Sequence, residues 1–473
     1  MMPHSPSVPV RTAARKPSSK DQLLWFVLLS CIALVGLGFL PLAFLGTPFL
    51  KPIHIFAAAL LLLTPTMLPG SPEGTGIVRM VAFAFFTHLA VLLVSLAWSP
   101  LVTTGALSLM ISFSNCVIAL AFCLMASRLS LTRLADLLAY GAFAGAVAFH
   151  LSLFVGHALS GQNAISVLIE AATSGDLRNF KALYFVGGMK GLGVEGVSSF
   201  FSSIAPKATN SFGSAFVTTA IAAVHVVAAD RALTRYRSVK RDWAVWLALV
   251  NAVFVIMIAF SDRVQIYGAL LIIAHLSYFG FMHGNWKLGA WLTFGGLWVS
   301  LSAIMYIAVS ASAQGTFEEY AYRIMNNPRF TDLDRVLVRL GELGMLGGGM
   351  GIPLSFSDTS YLYPHNLFLF NYLSAGMIGL LASFIWFGVL CLLAVKAFAL
   401  MINQQMPRAV RRLALGAFSG VIYVITLTQL VSQGDLDLAD WLGLAIALSV
   451  LAKAQSIHNR MGTQSLSRPS PVR

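Results

Sequence analysis

Charge is what this chain has least of: 10% of its 473 residues are Asp, Glu, Lys or Arg, against about 25% in ordinary soluble domains. With 58% of the chain hydrophobic and a mean hydropathy of +0.79, so few solvated groups cannot cover the apolar surface of a soluble globule. The same composition excludes a disordered chain, which is poor in apolar residues and rich in charge. Cysteine is scarce as well. The four, Cys31, Cys116, Cys123 and Cys391, all fall inside apolar runs, which excludes a disulfide scaffold and marks them as small hydrophobes. Acidic residues number 18 against 31 Lys and Arg, a net charge of +13. A nucleic-acid partner needs a basic face on a folded polar domain, and there is no such domain to carry one, so no nucleic acid is expected.

What is present is a series of long apolar runs, with the bilayer as their natural solvent. At about 20 residues per membrane helix, the apolar content suffices for on the order of a dozen spans. The expected fold is an all-α polytopic membrane protein of about twelve transmembrane helices. They read as 23–45, 53–67, 80–98, 105–126, 134–155, 208–229, 243–260, 264–282, 288–311, 366–395, 413–431 and 438–453. The first run is longer than the apolar core of a secretory signal and has no clear cleavage site, so it is kept as a span. Residues 1–22 and 454–473 read as tails flanking a membrane domain of 23–453, the first disordered. With both termini in the cytoplasm, 21 of the 31 Lys and Arg fall on the cytoplasmic side, as the positive-inside bias requires. Two outer loops, about 156–207 and 312–364, are too long to be simple connectors.

In the second loop, Thr331-Asp332-Leu333-Asp334 resembles a capping box, and Leu333, Val336, Leu337 and Leu340 recur at helical spacing. This predicts a short amphipathic helix with Arg335 and Arg339 on its polar face. Gly347, Gly348, Gly349 and Gly351 follow. They lack the Lys-Ser or Lys-Thr of a phosphate loop, so a hinge or close packing is the better reading. His365 and Asn366 open the long apolar run that comes next; an imidazole there could accept a proton or simply mark an interfacial helix entry. Arg263 stands between two apolar runs beside Asp262, as a functional intramembrane cation or a snorkelling arginine in a tight turn. Arg323, Arg329, Arg335 and Arg339 could grip a diphosphate through paired N–H bonds, or could form a solvated face balanced by Asp332, Asp334 and Glu342. His88, His150, His225 and His275 are scattered without metal-ligand spacing, so neither a metal nor another cofactor is expected.

Together, LGGGMG (346–351) and PHNLFLFNYLSAGMIGLL (364–381) resemble the C-terminal signature of the O-antigen ligase and polymerase superfamily. Ser261-Asp262-Arg263 is similar to that family's Ser-Arg at the outer end of a helix, although Asp262 intervenes here. Asp334-Arg335 resembles its second arginine, with Arg329 a credible substitute. The resemblance covers roughly 208–395. It implies a GT-C-like, metal-independent glycosyltransferase with a large periplasmic loop before the tenth helix. The implied location is the bacterial cell inner membrane. The implied donor is an undecaprenyl-diphosphate-linked glycan, and the acceptor a sugar hydroxyl of another glycan or of lipid A-core. On the resemblance His365 is catalytic, and Arg263 with Arg335 or Arg329 binds the diphosphate. A transporter of the flippase kind and a non-catalytic partner of a polysaccharide export machine are the other classes the composition allows.

Overall fold

In the computed structural model, residues 19–37, 52–67, 75–174, 180–192, 204–258, 341–351, 366–430 and 438–466 are described, with a few isolated positions besides. The described chain is almost entirely helical. The helices are α1 (Ser19–Ala33), α2 (Pro52–Met67), α3 (Thr75–Ser95), α4 (Val102–Arg128), α5 (Leu131–Leu159) and α6 (Ala164–Thr173). They continue as α7 (Gly187–Gly191), α8 (Ile204–Thr234), α9 (Val239–Ile258), α10 (Leu367–Ile402), α11 (Arg408–Leu430) and α12 (Leu438–Leu466). A two-residue antiparallel pair, β1 (Phe356–Ser357) with β2 (Ser360–Tyr361), is the one exception among them.

Among the described residues six helical stretches are long and apolar enough to cross a membrane: 75–98, 102–128, 131–159, 215–234, 367–402 and 440–460. The expected spans 264–282 and 288–311 lie outside the described residues. Elsewhere the described helices follow the apolar runs with ends shifted by several residues, and three differences stand out. The first span begins earlier, at Ser19, and its α-helix ends at Ala33 before a 3-10 turn to Leu37. The last runs past residue 453 to Leu466, so the expected C-terminal tail starts inside a helix. The stretch 156–207, expected as an outer loop, is not a plain loop. Within it, Asn163 caps α6, and a π-helical turn (Lys181–Val186) leads into α7, which packs back on α5 and buries Tyr184, Phe185 and Met189.

The interior is built around α12, which packs on α4, α8 and α11, while α10 lies between α3 and α11. Phe85 of α3, Trp386 of α10 and Trp441 of α12 meet edge to face or tilted, with ring centroids 4.6–5.7 Å apart. Aromatic pairs of this geometry contribute about 0.5–1.5 kcal/mol each beyond area burial. Because adjacent helices run antiparallel, the ends of α4, α8 and α10 and the starts of α5, α9 and α11 gather at one end of the bundle. That end carries Arg128, Arg133, Arg231, Arg235, Arg237, Lys240, Arg408, Arg411 and Arg412. Arg241, which the expected span 243–260 leaves in the preceding loop, is instead fully buried there. It lies on the inward face of α9, bonded to Asp230 of α8 (2.8 Å) and Asp136 of α5 (3.3 Å), and so ties three helices together.

Candidate functional site

At the opposite end of the bundle, α10 is not the continuous span that its hydropathy suggests. Its dihedrals leave the helix at Ala375 (φ −130°, ψ 18°) and Gly376 (φ 61°, ψ −144°), giving a half-helix Leu367–Ser374 followed by the long remainder. Gly376 has a combination of angles that essentially only glycine adopts. Where a helix breaks, carbonyls lose their partners, and inside a bilayer water cannot replace them. The glycine-rich segment does. Gly348 N–H donates to Leu373 O (2.7 Å) and Gly349 N–H to Ser374 O (2.9 Å).

The same segment is held on its other side by α3. Met350 N–H donates to Ser95 Oγ (3.1 Å), and Ser99 Oγ donates to Met350 O. Such close backbone contact leaves no room for side chains. A Cβ on Gly347 (φ 69°, ψ −175°) would stand 2.6 Å from Gly376 N and 2.7 Å from Tyr372 O. The glycines therefore serve close packing, as their sequence suggests, with the added task of completing a broken helix.

The half-helix is fixed at two further points. Asn366 caps its start, its side-chain oxygen accepting from Phe368 N–H (2.9 Å) and Leu369 N–H (3.2 Å). Midway, the fully buried Asn371 accepts from His88 Nε2–H of α3 (2.8 Å) and donates Nδ2–H to Leu367 O (2.8 Å). Asn371 Oδ1 can only accept, so His88 carries its proton on Nε2. At 1.5 Å per residue the half-helix is about 12 Å long, so the glycine segment reaches roughly that far into the bundle from the Asn366 end. A cap, a side-chain strut and a backbone clamp thus hold this two-turn helix at three places.

His365, Arg263, Arg329 and Arg335 lie outside the described residues, as do Arg323 and Arg339. What is described is the half-helix whose cap, Asn366, follows His365 directly in the sequence. His88, Ser95, Ser99 and Asn371 are the parts of the frame around it that sequence reasoning missed. No spacing announces them, because the partners are separated by some 250 to 280 residues.

Two more polar clusters join histidines that look scattered in sequence. Tyr184 O–H donates to His150 Nδ1 (2.9 Å), and His150 Nε2–H donates to Asn251 Oδ1 (2.9 Å), linking α5, the π turn and α9. Burial pushes the Tyr184 phenol up to about 12, further from ionisation than a free phenol. His157 on the next turns of α5 donates Nε2–H to Tyr184 O (2.8 Å). The rings of His225 and His275 lie 5.0 Å apart, with Ser419 Oγ 3.1 Å from His275 Nε2. Among the described residues no group of three or more His, Cys, Asp or Glu could hold a metal ion. No family model matches the chain, and no curated protein matches it.

Proposed function

We propose that the chain is a glycosyltransferase of the lipid-linked class, with about twelve spans and a GT-C-like arrangement, in the bacterial inner membrane with both termini cytoplasmic. It moves a glycan from undecaprenyl diphosphate to a sugar hydroxyl of a glycan or lipid A-core acceptor at the periplasmic face, as an O-antigen ligase or polymerase does. The observation that carries this reading is the clamped half-helix Leu367–Ser374, whose capping Asn366 directly follows His365. A general base contributes only if it is held at the right distance from the reacting hydroxyl, and rigid supporting elements do that holding.

In the reaction, the acceptor hydroxyl oxygen bonds to the anomeric carbon while the bond from that carbon to the diphosphate oxygen breaks. His365 takes the hydroxyl proton, and undecaprenyl diphosphate leaves. Arg263 and Arg335, or Arg329 in place of Arg335, bind the diphosphate and stabilise the negative charge that grows on it. The arginines supply the cationic charge this leaving group needs.

One observation favours a transporter instead: a helix interrupted inside an apolar bundle is a common way to build a transport site. The interruption in α10 differs in having its freed carbonyls bound by Gly348 and Gly349. Purified protein in lipid nanodiscs, given a lipid-linked glycan donor and an acceptor glycan, separates the two. A new glycosidic bond formed without ATP supports transfer; donor movement across a proteoliposome bilayer with no new bond overturns it. Within the enzyme class, a deletion strain that loses every capped lipopolysaccharide chain marks a ligase, and one that keeps single-unit caps marks a polymerase.

A further inference from the structure

At the basic end of the bundle, α8 and α9 splay around a cleft of about 500 Å³, within the size range of small-ligand sites. Its walls are apolar: Val224, Val227 and Ala228 from α8, Val245 and Leu249 from α9. Its rim is charged, with Arg231 and Arg237 on either side of Asp242 and Trp243 and Trp246 beside them. Asp242 Oδ1 accepts from Arg231, and Arg237 Nε lies 3.8 Å from its other oxygen. Two guanidiniums against one carboxylate leave a net positive rim, and each guanidinium carries about five N–H donors, so the pairing uses few of them.

The helical pattern of α9 decides what can approach. Val239, Trp243, Trp246, Val250 and Val253 recur at intervals of three or four residues and form an exposed stripe, with Trp243 and Trp246 64% and 63% exposed. The inward face holds Arg241, Val245, Ala248, Ala252 and Val255, all buried. An exposed apolar stripe on a chain this hydrophobic faces acyl chains. Tryptophans in the first two turns next to a basic turn sit at headgroup depth. With that stripe against acyl chains, the apolar part of the cleft would lie at acyl depth and its cations at phosphate depth.

We infer that the cleft between α8 and α9 binds one anionic phospholipid of the leaflet at the basic end, its phosphate on Arg231 and Arg237 and an acyl chain along Val224, Val227 and Leu249. This inference does not depend on the proposed transfer reaction. An amphipathic ligand with one acidic head matches both halves of the cleft; a soluble anion matches only the rim.

Native mass spectrometry of the full-length protein, released from nanodiscs of phosphatidylglycerol and phosphatidylcholine in equal amounts, tests it. Wild type is expected to retain one phosphatidylglycerol in preference to phosphatidylcholine. An arginine near an anionic surface is worth about a fivefold change, so Arg237→Gln lowers that retention about fivefold and Arg231→Gln/Arg237→Gln further. Arg237 is exposed and holds no helix in place, so an unchanged thermal midpoint in Arg237→Gln separates lost binding from lost folding. Trp246→Ala lowers retention of both lipids. Three results would overturn the inference: unchanged phosphatidylglycerol retention in the double variant, an equal loss in Arg408→Gln elsewhere at the same end, or displacement of the lipid by glycerol 3-phosphate.

Discussion

Gly347→Ala is the sharpest probe of the clamp on the half-helix. The backbone at Gly347 (φ 69°, ψ −175°) lies in a region that is essentially glycine-only, and forcing alanine into it costs about 1–3 kcal/mol. The added Cβ would also stand 2.6 Å from Gly376 N, 2.7 Å from Tyr372 O and 2.9 Å from Leu373 O, all backbone atoms that cannot rotate away. Overpacking of this kind costs roughly another 1–3 kcal/mol. The sum, about 2–6 kcal/mol, is a large share of the 5–15 kcal/mol typical of folded proteins. The chain can escape it only by lifting the glycine segment off α10, which breaks the bonds from Gly348 and Gly349 and leaves Leu373 and Ser374 carbonyls bare. Unfolding by SDS in mixed micelles, followed by tryptophan fluorescence, measures the global cost. Hydrogen exchange of peptides covering 346–351 measures local lifting. Gly341→Ala, where a Cβ meets nothing within 4 Å, is the control and should change stability by no more than about 0.5 kcal/mol. If Gly347→Ala matches Gly341→Ala in both stability and exchange, the clamp does not exist as described.

Asp230→Ala leaves the Arg241 guanidinium buried without its nearest carboxylate, and should cost about 3–5 kcal/mol in the same unfolding assay. The double change Asp230→Leu/Arg241→Met should recover most of that loss; a double variant as unstable as the single would refute the uncompensated-charge explanation. Asn371→Leu leaves the buried His88 donor without an acceptor, a cost of about 1–3 kcal/mol, whereas His88→Leu/Asn371→Leu should be milder than the sum of its parts. Strict additivity in that cycle would mean the two side chains do not interact. For sidedness, cysteine placed at exposed position 345 should react with an impermeant maleimide in intact spheroplasts, and cysteine at exposed position 236 only after permeabilisation, both in a Cys391→Ser background. The reverse pattern would invert the proposed topology.

The described helices were legible as helices because long apolar runs have few alternatives in a bilayer, and six of them are long and apolar enough to cross it. The break in α10 was not. Ala375 and Gly376 sit in a run as apolar before them as after, and only the docking of a segment some 25 residues upstream turns that glycine into a helix end. The frame around the half-helix was hidden for the same reason: Ser95 and His88 acquire meaning when α3 packs on α10, and nothing in their own neighbourhood indicates it. Arg241 shows the converse. Its sequence setting, among four other basic residues, resembles a solvated cytoplasmic turn, yet the period of α9 puts it on the inward face, where Asp230 and Asp136 receive it. The glycine stretch was read closer to its role, because the absence of a phosphate-loop lysine left close packing as the remaining physical use. Arg263, Arg329, Arg335 and His365 lie outside the described residues, so their grouping rests on the resemblance and on the chemistry of the reaction.

The central claim is that a base at His365 and a two-point arginine grip act on one lipid-linked diphosphate. It is tested most directly by donor binding and turnover, measured separately with purified lipid-linked donor, for His365→Ala and Arg263→Lys. Loss of a general base typically slows transfer about 10²–10⁴-fold, so His365→Ala should bind donor normally and turn over at that reduced rate. Lysine cannot reproduce the planar bidentate contact, so Arg263→Lys should be nearly as damaging as Arg263→Ala. Wild-type turnover in either His365→Ala or Arg263→Lys, at normal amounts of folded protein in the membrane, would contradict the claim.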